Sequence, residues 1–181
     1  MENSNLLLIY LATLLVLLSI AAVLVLRQVL KTRRIESTLN RLQNKLTKEK
    51  GTAKEYYELA SLLLDKKLYT QAAIYLQQAI KQIPADEAEN AALAYNALGF
   101  AYFAQEQYDL AIRNYKEALK IAPNYATALN NLGHSYERKQ LTKQALEAYE
   151  AALEVDPKNS TARRRADSLR KRLVTSSSSS S

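Results

Sequence analysis

The sequence predicts an all-α protein: an N-terminal membrane-spanning helix and a helical stalk, then three helix-turn-helix units stacked as an α-solenoid, closed by a C-terminal capping helix. Three observations carry that prediction. Residues 6–26, "LLLIYLATLLVLLSIAAVLVL", form a run of 21 without a charge. Downstream, Leu98, Gly99, Tyr102, Ala111, Tyr115, Ala118 and Pro123 recur 34 residues later as Leu132, Gly133, Tyr136, Ala145, Tyr149, Ala152 and Pro157. The last stretch, "STARRRADSLRKRL" at 160–173, sets Ala162, Ala166, Leu169 and Leu173 on one helical face and its cations on the others.

The apolar run comes first. At 1.5 Å per residue it matches the roughly 30 Å hydrocarbon core of a bilayer. A cleaved signal peptide is the alternative, but residues 1–5 hold Glu2 and no base, and no A-x-A-like site follows the run. Arg27, Lys31, Arg33 and Arg34 lie just after it. The bias of bases therefore predicts a translocated N-terminus (1–5), with residues 27–181 cytoplasmic or stromal.

Residues 27–51 read as a basic stalk, with Ile35, Leu39, Leu42 and Leu46 at helical spacing. The stalk is either a helix packed on the next domain or lying at the headgroups, or a short coiled coil that makes a dimer. Charge is segregated along the chain: +6 over 27–50, −4 over 51–157 and +6 over 158–181, within a net +7. Membrane-surface attraction explains the first basic cluster at least as well as nucleic acid does.

The repeat occupies residues 52–157, with units at about 53–84, 92–125 and 126–159 and an insertion at 85–91. The first unit carries Leu59, Ala60, Leu63, Ala72, Leu76, Ala79 and Pro84 at an offset of 39 from the second. Thr52 and Glu55 have the form of a capping box, and Asp86-Glu87-Ala88-Glu89 resembles a second start that lengthens the next helix by more than a turn. A helical glycine costs about 1 kcal/mol relative to alanine. Ala60, Gly99 and Gly133 are therefore read as points of close approach between the two helices of each unit, with Ala72, Ala111 and Ala145 opposite. Ser160 is the expected N-cap of the closing helix, and the Ser-rich tail at 174–181 is expected to be disordered.

These spacings resemble the tetratricopeptide repeat (TPR), whose pattern is W-x2-L-G-x2-Y, A-x3-F and a closing Pro over 34 residues. Tyr95, Leu98, Gly99, Tyr102, Ala111, Tyr115, Ala118 and Pro123 fill it in the second unit, with Tyr95 in the tryptophan place, which Leu129 takes in the third. The resemblance implies a concave face that binds segments of other proteins, lined by the first helix of each unit. The side chains it places there are Tyr57, Ser61 and Leu64, then Asn96, Phe100 and Phe103, then Thr127, Asn130, His134 and Glu137. Phe100 and Phe103 are either groove anchors or inter-repeat core. The TPR subgroup that holds chaperone C-terminal carboxylates uses Lys, Asn and Arg where this chain has Tyr57, Ser61, Ala97, Thr127 and Asn131, so no charge clamp is expected.

Cysteine is absent, His134 is the sole histidine, and no phosphate loop or metal spacing occurs. No enzyme, cofactor or metal site is expected. Arg163, Arg164, Arg165, Arg170, Lys171 and Arg172 project outward from the capping helix, as a solvated face or as a docking patch for an acidic partner, lipid headgroups or nucleic acid. The whole layout resembles the membrane-anchored TPR proteins that assist photosystem I assembly in cyanobacteria and plastids. That resemblance implies an assembly or stability factor at the thylakoid membrane, holding photosystem I subunits or intermediates and no nucleic acid. The absence of a transit peptide ahead of the run would suit a cyanobacterial or plastid-encoded chain. A receptor or tether in protein targeting or envelope biogenesis is the alternative.

Overall fold

The computed structural model describes the backbone of residues 2–178 and the side chains of 10–175, and among these it holds eight α-helices and no strand. Two units separate, residues 1–48 and 49–181. The first is one helix, α1 (Glu2–Leu46). It is long and apolar enough to cross a membrane by length and composition. The sequence suggested three pieces here, a short N-terminus, a span and a stalk. A single helix joins them as far as Leu46, short of the expected end of the stalk at 51, because no Gly or Pro interrupts residues 2–46, and the Arg, Lys, Gln and Leu after the apolar run are good helix formers.

The second unit contains α2 (Ala53–Asp65), α3 (Tyr69–Gln82), α4 (Ala88–Ala104), α5 (Tyr108–Ile121), α6 (Ala126–Arg138), α7 (Thr142–Val155) and α8 (Ser160–Ser178). Thr52 caps α2 with the full capping box: its Oγ1 accepts the Glu55 N–H at 3.3 Å, and the Glu55 carboxylate accepts the Thr52 N–H at 3.0 Å. At 17 residues α4 exceeds α2 and α6, each of 13, because the end of the insertion from Ala88 onward is helical. Pro84, Pro123 and Pro157 each stand two residues past the end of the unit's second helix, where a missing N–H prevents the helix from continuing.

One turn is repeated three times. Lys67, Glu106 and Gln140 have φ of 60–61°. In each turn that residue's N–H meets a carbonyl three back, and the next N–H reaches five back, as Gln140 to Glu137 and Leu141 to Tyr136, both at 2.9 Å. This is the Schellman closure, in which glycine is the usual left-handed residue.

The glycines do permit close approach, and the atoms nearest to them belong to a tyrosine ring of the unit's second helix. A Cβ at Gly99 would lie 2.7 Å from the Tyr115 ring, and one at Gly133 would lie 2.9 Å from the Tyr149 ring. Ala111 and Ala145 are buried one turn earlier. The first unit has the matching pair Ala60 and Leu76, both buried in one cluster, so a branched aliphatic there leaves room for the extra methyl.

Two expectations for the end of the chain are corrected. Asn159, not Ser160, caps α8, its Oδ1 accepting the Ala162 N–H at 3.0 Å. The helix also continues past Leu173 to Ser178, through much of the tail expected to be disordered. Extending a helix already nucleated by an Arg- and Leu-rich segment fixes one residue per hydrogen bond, and serine is only a moderate penalty. The remaining serines lie outside the described residues. Ala162, Ala166 and Leu169 bury against Ala145, Tyr149 and Ala152 of α7, covering the last edge of the stack.

Candidate functional site

The first helices of successive units touch, α2 with α4 and α4 with α6, so together they line one side of the stack. Position in the repeat decides which side chains reach that side. Local packing then decides which remain free for a partner.

Phe100 and Phe103 separate. Phe103 is half-buried in the core between the second and third units, its ring 4.6 Å from the His134 ring and 5.5 Å edge-on from Tyr108. Phe100 is 41% exposed, and its ring meets the Tyr69 ring edge-on at 6.2 Å. Tyr57 and Leu64 are half-buried against the core formed by α2, α3 and α4. The Ser61 hydroxyl donates to the Tyr57 carbonyl at 2.9 Å.

An amide network joins α4 to α6. Asn96 donates through Nδ2 to the Tyr125 hydroxyl at 3.3 Å, and its Oδ1 accepts from Asn131 at 3.1 Å. Asn130 holds a buried Oδ1 with no partner among the described residues, an acceptor that a partner's N–H could satisfy. Thr127 is exposed at the start of the same helix.

His134 and Glu137 lean toward the interior. Burial pushes the His134 pKa below its ordinary value; Arg165 adds to that, Glu137 opposes it, and Arg138 adds a smaller push. Glu137 was placed among the groove contacts, but its Oε2 accepts from the buried Tyr149 hydroxyl at 2.7 Å and its Oε1 lies 3.7 Å from Arg165. With a side chain only 14% exposed, it ties α6 to α7 and α8. The basic patch divides in the same way. Arg165 turns inward to Glu137, and Arg170 pairs with Glu150 at 2.7 Å and Asp167 at 2.9 Å. Arg163 donates to the Pro157 carbonyl, which leaves Arg164, Lys171 and Arg172 exposed.

Sequence reasoning missed Leu93. It is 43% exposed on α4 and stands between two cavities. One, of about 420 Å³, is lined by Ala53, Lys54, Tyr57, Ile83, Glu87, Asn90 and Leu93. The other, of about 390 Å³, lies between Glu89, Ala92, Leu93 and the turn Ala122–Tyr125. The insertion builds the first, since Glu87 and Asn90 belong to it and are joined by a 2.6 Å hydrogen bond. Its length was the available signal.

Comparison with known families agrees with this geometry. A family model described as "TPR repeat" matches residues 99–140, and models described as "Tetratricopeptide repeat" match 126–159 and 49–86. The chain is a tetratricopeptide repeat protein. Among TPR relatives it is 40% identical over 98 residues to "Uncharacterized protein ycf37" of Cyanophora paradoxa, covering 54% of this chain and 56% of that one. It is 38% identical over 114 residues to the "Tetratricopeptide repeat domain-containing protein PYG7, chloroplastic" of Arabidopsis thaliana, covering 63% of this chain and 38% of that one. The matches thus span about half the length of these relatives or less. The crystal structure of MamA superposes with a TM-score of 0.71 at 20% identity, over 78% of this chain and 80% of that one, a likeness of fold. This TPR protein thus has the fold of the repeat family, and one of its relatives is named as chloroplastic.

Proposed function

We propose that this TPR protein is a membrane-anchored, non-enzymatic scaffold that holds subunits or intermediates of a membrane complex during assembly, with photosystem I as the client. The single observation that carries the binding reading is the inner side of the stack. There Leu93 and Phe100 stand exposed on α4, with two cavities flanking Leu93. Exposed apolar side chains beside concave space are anchors for a partner segment.

The anchor is residues 6–26. The basic residues after it orient the chain with its N-terminus translocated and the repeats on the cytoplasmic or stromal side. The photosystem I client is supported by the layout of anchor, basic segment and three repeats, and by the chloroplastic relative. In this reading the protein resides in the thylakoid membrane.

The test is affinity purification from gently solubilised native membranes, comparing wild type with Leu93→Ser/Phe100→Ser. Photosystem I subunits are expected with wild type and reduced with the variant. Recovery of translocation or envelope components in their place would sink the photosystem reading and favour a targeting receptor or tether.

A further inference from the structure

We propose that the outward face of α8 docks on the headgroups of an anionic bilayer. Its inner face is used up, with Ala162, Ala166 and Leu169 buried against α7. Of the six cations at 163–172, three are engaged within the fold: Arg165 with Glu137, Arg170 with Glu150 and Asp167, and Arg163 with a backbone carbonyl. Arg164, Lys171 and Arg172 remain. All three are exposed, with no acidic partner or hydrogen-bonded side chain among the described residues. Arg164 and Lys171 lie two turns apart, within about 20° of one another around the helix at 100° per residue. Capping the stack needs none of these three charges.

The type of surface follows from what accompanies the cations. No aromatic residue occurs in 158–181, so the stacking platform of a single-stranded nucleic-acid site is missing. Val174, 68% exposed, is the only large apolar side chain exposed there among the described residues, whereas protein interfaces draw most of their energy from aromatic and apolar anchors. Ser160, Ser168 and Thr175 surround the charges. Long, unpaired cations among small hydroxyls match a diffuse layer of phosphate or sulfate headgroups. The repeats that precede α8 support the same direction, because residues 51–157 carry −4 and are repelled where 158–181, at +6, are attracted. The proposed anchor enters only by holding α8 near a bilayer.

Because the chain has no cysteine, Ser168→Cys accepts a single environment-sensitive dye on this face. The full chain is mixed with vesicles containing a brominated quencher lipid, either all phosphatidylcholine or with a phosphatidylglycerol fraction. Incorporation into the neutral vesicles at high salt reads the anchor separately. Quenching is expected in the anionic vesicles at about 0.1 M salt and lost near 1 M, where the screening length shrinks from roughly 10 Å to 3 Å. Each cation at such a surface contributes roughly fivefold in binding. Arg164→Glu/Lys171→Glu/Arg172→Glu should therefore weaken the quenching equilibrium by about a hundredfold or more. Equal quenching in neutral and anionic vesicles, or none in either, overturns the docking whether or not the anchor inserts. The salt series on the labelled protein with all six cations intact decides this without relying on the triple variant. Capture of an acidic protein by α8 with the dye unquenched in anionic vesicles would also overturn it.

Discussion

Replacing Gly99 by alanine puts two effects in opposition, and the structure decides between them. Helix propensity alone favours alanine by about 1 kcal/mol. The new Cβ, however, would lie 2.7 Å from two Tyr115 ring carbons, against the roughly 3.5–4.0 Å at which carbon atoms rest. Tyr115 is 1% exposed and packs with Ala111, Leu132 and Ala148, so its ring has nowhere to retreat. Overpacking of this kind costs about 1–3 kcal/mol, and set against the propensity gain of about 1 kcal/mol Gly99→Ala should lose up to about 2 kcal/mol net. Tyr115→Leu leaves a void and should also destabilise, by about 1–3 kcal/mol. Together the two changes recreate the Ala60 and Leu76 pair of the first unit. The double variant should therefore exceed the sum of the singles by at least about 1 kcal/mol. Urea unfolding of the four proteins, followed by helical circular dichroism, measures the cycle. Additivity within about 0.5 kcal/mol, or a Gly99→Ala variant more stable than wild type, would refute the packing argument.

Two further predictions concern the repeat. The folded His134 has a pKa below its ordinary 6.5, so the unfolded chain takes up a proton that the folded chain resists. Stability should rise with pH between the lowered value and about 6.5 and level off above it. His134→Gln should flatten that part of the urea-midpoint profile, and an imidazole NMR titration centred at or above 6.5 would contradict the burial. Gln140, at φ 60°, holds a left-handed turn at a cost that glycine avoids. Gln140→Gly should stabilise by roughly 0.5–1 kcal/mol after the added freedom of the unfolded glycine is counted, and a lowered urea midpoint would show that the turn is unstrained.

The repeat register was legible because each unit reuses the same side chains at fixed intervals, so the spacing of Gly99 and Gly133 was enough to locate the fold. What faces those glycines was not legible. Tyr115 and Tyr149 reach them across a helix pair, and spacing along one chain does not show which turn of the second helix meets the first. The three left-handed turns escaped notice because Lys67, Glu106 and Gln140 stand where glycine would have signalled them. In the candidate site, the resemblance to the TPR pattern chose the inner side of α2, α4 and α6. It could not separate Phe100 from Phe103, because the two differ by what α3, α5 and α6 bring to them. Glu137 and Arg165 looked free for the same reason, since each finds its partner on a different helix. Leu93 became visible only with the cavities on either side of it.

The central claim is that a client lies along the inner side of the repeats, and site-specific photo-crosslinking in native membranes tests it most directly. A photoreactive residue at Leu93 or Phe100 should give discrete adducts with one or a few membrane-complex subunits. The same residue at Ile74, exposed on α3 and away from both cavities, should give none. Adducts from Ile74 with Leu93 and Phe100 silent would contradict the account.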